Sequence, residues 1–242
     1  MTPEHQYRRI ICAYCGYTVD VPIYCGNRFC SVCSSPRLKR VRLRLTSIIK
    51  QTPFIPGYDF KHLTLSIRNR QDLPGMITFL ITSFKLLRRT IYWKHHVAGG
   101  AFVIEVSGQP LSWHAHLHIV IQCNWMKWEH LLAAWSHVSR GRGVYITRIP
   151  KGDIIRYLTK YLTKPSVAPV HVEVIADPLK SYRLFQTFGK WHTIKVLILK
   201  EPALCPKCKA AAWIPFDILY RGFTQPEHGR HPPRTRASPS PS

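Results

Sequence analysis

Three histidines alternate with apolar residues in the segment W-H-A-H-L-H-I-V-I, at residues 113–121. Side chains of a β-strand alternate between its two faces, so His114, His116 and His118 would share one face while their neighbours pack on the other. Neutral imidazoles at adjacent positions of one face can bind a divalent ion. The alternative is a half-exposed strand whose polar face happens to be histidine.

A second segment, D-I-I-R-Y-L-T-K-Y-L-T-K at residues 153–164, pairs tyrosines with lysines. Tyr157 and Tyr161 are four residues apart and would lie on one face of a helix, and Lys160 and Lys164 each follow a tyrosine by three residues. A phenol is a weak nucleophile unless a metal or a cation offsets its charge. Alone, such a pair is typical of packing. Beside a metal-binding histidine strand, it indicates nucleophilic chemistry.

The charge of the chain favours an anionic partner. Its 242 residues carry 35 Lys and Arg against 12 Asp and Glu, a formal charge of +23, and 45% are hydrophobic, which suffices for a core. Nucleic acid is the leading partner and an anionic membrane surface the second. The longest uncharged stretch contains three histidines and suits no membrane span, and the first residues lack a signal peptide's apolar core. The sequence therefore predicts a cytoplasmic protein without a membrane partner.

A basic helix is predicted after Ser35 and Pro36, a pair that typically begins helices. Apolar residues form one stripe, and five basic residues without interleaved acids occupy the other faces: Arg37, Lys39, Arg40, Arg42 and Arg44. We expect these side chains to contact DNA phosphates, the alternative being a solvated helix face.

Cysteine spacing predicts structural zinc. Cys12-x-x-Cys15 and Cys30-x-x-Cys33 are separated by 14 residues, which suits a four-cysteine site, and pairs of this kind in a reducing compartment bind metal more often than they form disulfides. Three further cysteines could join a histidine in a second site or exchange ligands with the first: Cys25, Cys205 and Cys208. The sequence leaves this pairing open.

The periodicity of apolar residues predicts an α+β protein. Strands are expected at 60–67, 101–107, 113–122 and 143–149, with further strands at 170–176 and 192–199, and helices at 72–93, 125–138 and 153–163. We expect a central antiparallel sheet with helices packed on one face, plus a small cysteine-rich zinc module. The predicted domains are a zinc module (1–36), a catalytic domain (37–200), a C-x-x-C element (201–223) and a disordered basic tail rich in Pro and Ser (224–242).

The order of three motifs resembles a known family. F-K-H-L-T-L-S (60–66), the histidine strand and Y-L-T-K-Y-L-T-K resemble the three motifs of the HUH endonucleases, specifically the two-tyrosine rolling-circle replication initiators (Rep proteins) of plasmids and phages. The likeness extends to Y-C-G-N-R-F-C-S-V-C before these motifs and to R-L-F-Q-T-F-G-K-W and C-P-K-C after them. The resemblance implies the HUH nuclease fold.

The resemblance also implies a catalytic metal. His116 and His118 match the family's two histidine ligands for Mg²⁺ or Mn²⁺. Two residues are candidates for the third ligand. His114 shares the face of His116 and His118 and is favoured here, and Glu105 on the neighbouring strand offers a carboxylate, which a hard ion would prefer.

The implied reaction is site-specific nicking and religation of single-stranded DNA at a replication origin. Tyr157 and Tyr161 match the nucleophiles, which attack a DNA phosphate and leave a 5′-phosphotyrosine and a free 3′-OH, and Lys160 or Lys164 could assist the phenolate. The length leaves no room for a fused helicase, so a host helicase and polymerase are expected partners. A two-tyrosine transposase would use the same chemistry. A non-enzymatic zinc protein that binds nucleic acid would explain the charge and cysteines alone.

Overall fold

The structure, a computed structural model, describes residues 5–27, 29–141, 143–160, 162, 167–183, 185–196 and 202–216. The chain divides into two compact units, one formed by residues 1–5 and 24–200 and the other by 6–23 and 201–242. These boundaries differ from the predicted ones, because residues 24–36 belong to the larger unit instead of a separate N-terminal module. None of the described helices is both long and apolar enough to cross a membrane.

The strands and helices follow each other along the chain. The described strands are β1 (Tyr7–Cys12), β2 (Thr18–Pro22), β3 (Asp59–Ser66), β4 (Val97–Gln109), β5 (Ser112–Cys123), β6 (Gly143–Arg148), β7 (Gln186–Gly189) and β8 (Trp213–Pro215). The described α-helices are α1 (Ser31–Gln51), α2 (Leu73–Leu87), α3 (Ile91–His96), α4 (Trp128–Ser139), α5 (Ile154–Thr159), α6 (Val172–Lys180) and α7 (Lys190–Thr193). The chain is therefore α+β, as predicted.

A five-stranded antiparallel sheet forms the centre of the larger unit, in the order β6-β3-β5-β4-β7. The histidine strand β5 lies in the middle, between β3 and β4. The edge strand β7 belongs to the R-L-F-Q-T-F-G-K-W segment and ends at Gly189, whose φ is +58°. A Cβ atom at this position would lie 2.5 Å from the carbonyl oxygen of Ala98, so the close approach of β7 to β4 requires glycine.

Apolar side chains of β5 pack on one face of this sheet, against α2, α3, α4 and α6. The β5 residues in this core are Trp113, Ala115, Leu117, Ile119 and Ile121. Each is at most 3% exposed. Their alternation therefore turns the intervening histidines to the opposite face.

The opposite face is also covered in part by helices. Residues of α1 and α5, among them Leu45 and Leu158, pack with Ala101, Val103 and Val120 of the sheet in a second core. The prediction of helices on one face is therefore wrong. The apolar stripe of α1 needs its own sheet surface to bury, and the apolar end of the histidine face provides it.

Helix α1 begins five residues before the predicted first position, Pro36. The N-cap is Cys30, whose Sγ accepts a hydrogen bond from the backbone N–H of Cys33 at 3.4 Å, and Pro36 lies inside the helix. A cysteine cap thus replaces the Ser-Pro signal, and Cys30 and Cys33 both belong to a cluster of side chains, described below, that could hold a metal ion.

Two other predicted elements differ. The helix expected over 72–93 is broken before α3, where Thr90 accepts a hydrogen bond from the backbone of Trp93 at 3.2 Å and caps a new helix. The strand expected over 170–176 is instead a 3-10 turn followed by α6, which buries Ile175 and Leu179 on one side. The spacing of four between these residues outweighs the β-branched composition. Of the strand expected at 192–199, residues 192 and 193 are helical and 197–199 lie outside the described residues.

The smaller unit contains a three-stranded antiparallel sheet in the order β2-β1-β8. The C-x-x-C turn of Cys12 and Cys15 follows β1, and the backbone N–H of Gly16 donates to the carbonyl of Cys12 at 3.0 Å. The turn of Cys205 and Cys208 repeats this bond, from the N–H of Lys209 to the carbonyl of Cys205 at 2.8 Å. The unit thus has two turns of the same form.

Candidate active site and metal sites

The histidine strand presents its three histidines in one row. The rings of His114 and His116 stack with centroids 4.2 Å apart, and those of His116 and His118 lie 5.8 Å apart. Glu105 is directly opposite His116 on β4, and its carboxylate lies 2.5 Å from Nε2 of His118. Two imidazoles and one carboxylate from adjacent strands therefore occur together on this face.

His116 carries its lone pair at neutral pH. Burial lowers the pKa of its imidazole to about 4, and the neighbouring His114 and His118 add to the effect while Glu105 opposes it. A neutral imidazole can bind a metal ion, whereas an imidazolium cannot. The donor set thus suits a divalent ion that accepts nitrogen and oxygen ligands.

The candidates for a third ligand differ in position. Glu105 faces both His116 and His118 through the register of β4 and through its contact with His118. His114 pairs with Ser107 across the strands, and its Nε2 is buried with no hydrogen-bond partner among the described residues. The geometry favours Glu105, in contrast to the preference for His114 drawn from the sequence.

Tyr157 lies next to this row. Its ring centroid is 5.2 Å from that of His62, and the ring of His62 stacks on His118 at 5.6 Å with an interplanar angle of 5°. His62 comes from β3, within the first of the three motifs, and is 5% exposed. A chain of three rings thus links the phenol of α5 to the histidine strand.

Lys160 follows α5 and also lies near these rings. Burial lowers the pKa of His62 to about 4, and the charges of His118 and Lys160 lower it further. The Lys160 ammonium is therefore close enough to act on the group that contacts Tyr157. The predicted second nucleophile Tyr161 and its neighbour Lys164 lie outside the described residues.

The basic helix divides into buried and exposed residues. Arg37 is 7% exposed, donates to the backbone carbonyl of Asn27 at 2.9 Å, and its guanidinium lies 5.0 Å from the ring of Tyr24. It holds the chain before α1 in place instead of facing solvent, contrary to the DNA contact predicted for it. The other four basic residues are exposed: Lys39, Arg40, Arg42 and Arg44.

One cysteine-rich group lies in the larger unit at the start of α1. His5, Cys25, Cys30 and Cys33 bring four ligand atoms within 4.8 Å of one another. Nε2 of His5 is 3.1 Å from Sγ of Cys33, and the Sγ atoms of Cys25 and Cys33 are 3.8 Å apart. This group could hold a structural metal such as zinc.

The other group lies in the smaller unit and contains four cysteines. Cys12 and Cys15 join Cys205 and Cys208, with Sγ–Sγ distances of 3.5 Å between Cys12 and Cys208 and 3.6 Å between Cys15 and Cys205. A disulfide needs about 2.05 Å. Four ligands about 2.3 Å from a central ion in a tetrahedron would lie about 3.8 Å apart, close to the separations found.

These two candidate metal sites combine the cysteines differently from the predicted four-cysteine site. Cys12 and Cys15 do not share a group with Cys30 and Cys33, and each pair instead joins ligands from the set whose pairing the sequence left open. Within the described part of the chain these are the two places where three or more such ligand atoms lie within 4.8 Å of one another. As a group of three, the ligand atoms of the histidine row lie further apart than this.

Sequence reasoning missed three residues. His5 completes a metal-binding group, and His62 connects Tyr157 to the histidine strand. Tyr145 of β6 is 60% exposed and lies opposite Thr64, on the histidine face, because its neighbours Val144 and Ile146 pack into the other core. Two of them carried a usable signal: His62 lies within the first of the three motifs, and Tyr145 follows the apolar alternation of β6.

Comparison with known proteins adds no relative. No protein-family model matches the sequence, and neither a curated protein nor a solved structure matches the chain. The chemistry of the site rests on its own residues.

Proposed function

We propose that this protein nicks and rejoins single-stranded DNA through a tyrosine nucleophile, as an initiator of rolling-circle replication. The observation that carries the proposal is the contact between Tyr157 and His62, which stacks on His118 beside Glu105. A phenol, imidazoles and a carboxylate next to a lysine supply the groups that phosphoryl transfer to tyrosine requires. The net charge of +23 suits a DNA substrate.

Each group would have a distinct role. The phenol of Tyr157 would lose its proton to solvent and its oxygen would attack the scissile phosphate, forming the phosphotyrosine bond as the bond to the 3′-oxygen breaks and that oxygen takes a proton from solvent. His116, His118 and Glu105 would hold a divalent ion such as Mg²⁺ or Mn²⁺, which when bound polarises a phosphate oxygen. Lys160 would offset the negative charge of the phenolate, and His62 would orient the tyrosine ring.

Tyr145 would engage the substrate beside this centre. Its ring is exposed at the edge strand, two residues from Thr147, which lies opposite His62. A base of an unpaired strand can stack on such a ring without sequence preference. The histidine face would then bind DNA from the sheet edge towards the metal ligands.

The test is covalent capture. With single-stranded DNA from the replication origin that neighbours the gene and with Mn²⁺, we expect a protein band of reduced mobility on denaturing gels, and EDTA should remove it. The released fragment should end in a 3′-OH that a polymerase can extend. Failure to form an adduct on any candidate origin strand would contradict the proposal.

The competing proposal is a zinc-containing protein that binds nucleic acid without cutting it. The two cysteine-rich groups and the basic surface favour it, and it predicts salt-sensitive binding with no adduct. A two-tyrosine transposase, in contrast, would form the same adduct on the ends of a mobile element. Comparing origin strands with element ends as substrates distinguishes these two enzymes.

Both cysteine-rich groups are proposed to bind zinc. Elemental analysis of the purified chain should find two zinc ions, and Cys12→Ser and Cys30→Ser should each reduce the content to about one. Because such small metal-bound segments gain much of their folding free energy from the ion, both variants should become protease-sensitive. Cys123→Ala, a buried cysteine outside both groups, is the control and should retain two ions. A folded, metal-free wild-type protein would contradict the assignment.

A further inference from the structure

A groove lies between α1 and the segment that carries Tyr157. Its volume is about 560 Å³. Leu38 and Arg42 line it from one helix, four residues apart, and Thr159 and Lys160 are among the residues that line it from the other side. We call this feature the α1–α5 groove.

Positive charge dominates the α1–α5 groove. Arg42, Arg156 and Lys160 line it, and none of the described residues that line it is acidic. Arg156 makes an ion pair with Asp153 at 3.4 Å, but both side chains are substantially exposed, at 75% and 37%. Pairs of this kind are weak and can exchange their carboxylate for a phosphate.

The wall of the groove also leaves room for a backbone to approach. Gly152 lines it, and a Cβ atom added there would meet nothing within 4 Å. The hydroxyl of Thr159 is engaged with the carbonyl of Ile155 at 2.7 Å, so the polar contacts left to a ligand are chiefly those of the cations. The cations suit the phosphates of a nucleic-acid backbone, and Leu38 and Ile155 offer apolar surface for its sugar carbons.

The groove adjoins the proposed nucleophile. Tyr157 is on α5 directly after Arg156, and the Arg156 guanidinium lies 5.9 Å from the Tyr157 ring. Lys160 lines the groove and directly follows the last residue of α5, three residues after Tyr157. At 100° per residue, Lys160 lies between the groove side of α5 and the side that carries Tyr157.

Building on the proposed function, we infer that the α1–α5 groove binds the backbone of the substrate strand, at a phosphate that flanks the one attacked by Tyr157. Arg42 and Arg156 hold this flanking phosphate, and Lys160 lies between it and the scissile phosphate. The flanking contact fixes the strand along α5, so that the scissile bond stays aligned with the phenol. Helix α1 thereby takes part in DNA binding through Arg42 and not uniformly along its basic face.

The test uses a fluorescent single-stranded oligonucleotide of mixed sequence and the full chain carrying Tyr157→Phe, titrated at several salt concentrations. Adding Arg42→Ala and Arg156→Ala together should weaken binding at least about tenfold and reduce the salt slope by about 0.7, because both side chains are inferred to hold the same phosphate. The control is the double variant Lys85→Ala and Arg89→Ala, which removes the same charge. Both residues are exposed and lie in or just after α2, on the other face of the sheet. The salt slope of this control variant should change little. Equal losses of binding affinity in the two double variants would overturn the inference.

A second variant tests the groove without removing a cation. Gly152→Glu places a carboxylate beside the three basic residues, and Gly152→Gln places a neutral side chain of the same shape there. We expect Glu to weaken oligonucleotide binding about tenfold more than Gln, because it adds repulsion between like charges. Binding by both variants at wild-type affinity would contradict the inference.

The two proposals fail in different ways. If wild-type protein forms no covalent adduct while the groove variants still lose oligonucleotide binding selectively, the groove is a nucleic-acid site and the nicking function is wrong. If wild-type protein forms the adduct while the groove variants bind and cut normally, the function stands and the groove is not the flanking site.

Discussion

His116→Ala and His118→Ala are each expected to reduce strand cleavage by at least about a hundredfold while single-stranded DNA binding stays nearly unchanged. The two imidazoles lie on one face beside Glu105, and burial keeps His116 neutral. Removing either would leave the proposed metal site incomplete. Binding rests instead on lysine and arginine side chains, so its salt dependence should be that of the wild type.

Cleavage should be followed in single-turnover reactions with Mn²⁺, and binding by titration in the absence of a divalent ion. His95→Ala is the control, because His95 is an exposed histidine at the end of α3. If either variant on β5 cleaves at the wild-type rate, the histidine strand does not bind the catalytic ion. His114→Ala should reduce the cleavage rate less than His116→Ala or His118→Ala does if Glu105 is the third ligand, and by a comparable factor if His114 is the third ligand.

The histidine face could be predicted because it depends on a local rule. Alternation along one strand decides which side chains point together, and five apolar residues of β5 fill the core opposite the histidines. The same rule gave a wrong prediction for residues 170–176. Their β-branched residues suggested a strand, although Ile175 and Leu179 have the spacing of a helix. Local patterns therefore predict faces better than they predict element types.

The partners of the cysteines could not be predicted, because they depend on contacts between distant parts of the chain. Cys12 and Cys208 are 196 residues apart, and both contribute to the same group. His5 shares no motif with Cys30 and Cys33, yet its ring lies 3.1 Å from Cys33. The C-x-x-C spacing indicates half of a metal site and does not identify the other half.

Burial explains why Arg37 does not face solvent as the other basic residues of α1 do. On a helix, a residue at the first turns can point back towards the chain that precedes it, and Arg37 binds the carbonyl of Asn27 there. Arg42 lies more than a turn further along and faces the α1–α5 groove. The group of His5 and three cysteines that could hold a metal lies at the start of this same helix.

Replacement of both tyrosines by phenylalanine should abolish the covalent DNA adduct and leave DNA binding intact. Rolling-circle replication needs one cleavage to start and a second to release and close the displaced strand. While the first phosphotyrosine persists, another nucleophile must reach the same phosphate position. Tyr157 and Tyr161 are four residues apart in sequence, about one helical turn of 5.4 Å if the helix continues, which a modest side-chain movement could span.

Each single variant should therefore nick, unequally, and fail to complete strand transfer. Tyr157→Phe should cause the larger loss of nicking, since Tyr157 contacts His62 beside the histidine strand. Adduct formation on denaturing gels measures the first step, and closed single-stranded circles measure the second. Tyr145→Phe, which retains the exposed ring, serves as the control for loss of a hydroxyl on this face. If Tyr161→Phe leaves circle closure unchanged, one tyrosine performs both steps, and Tyr157 must be released from the first strand before it attacks the second.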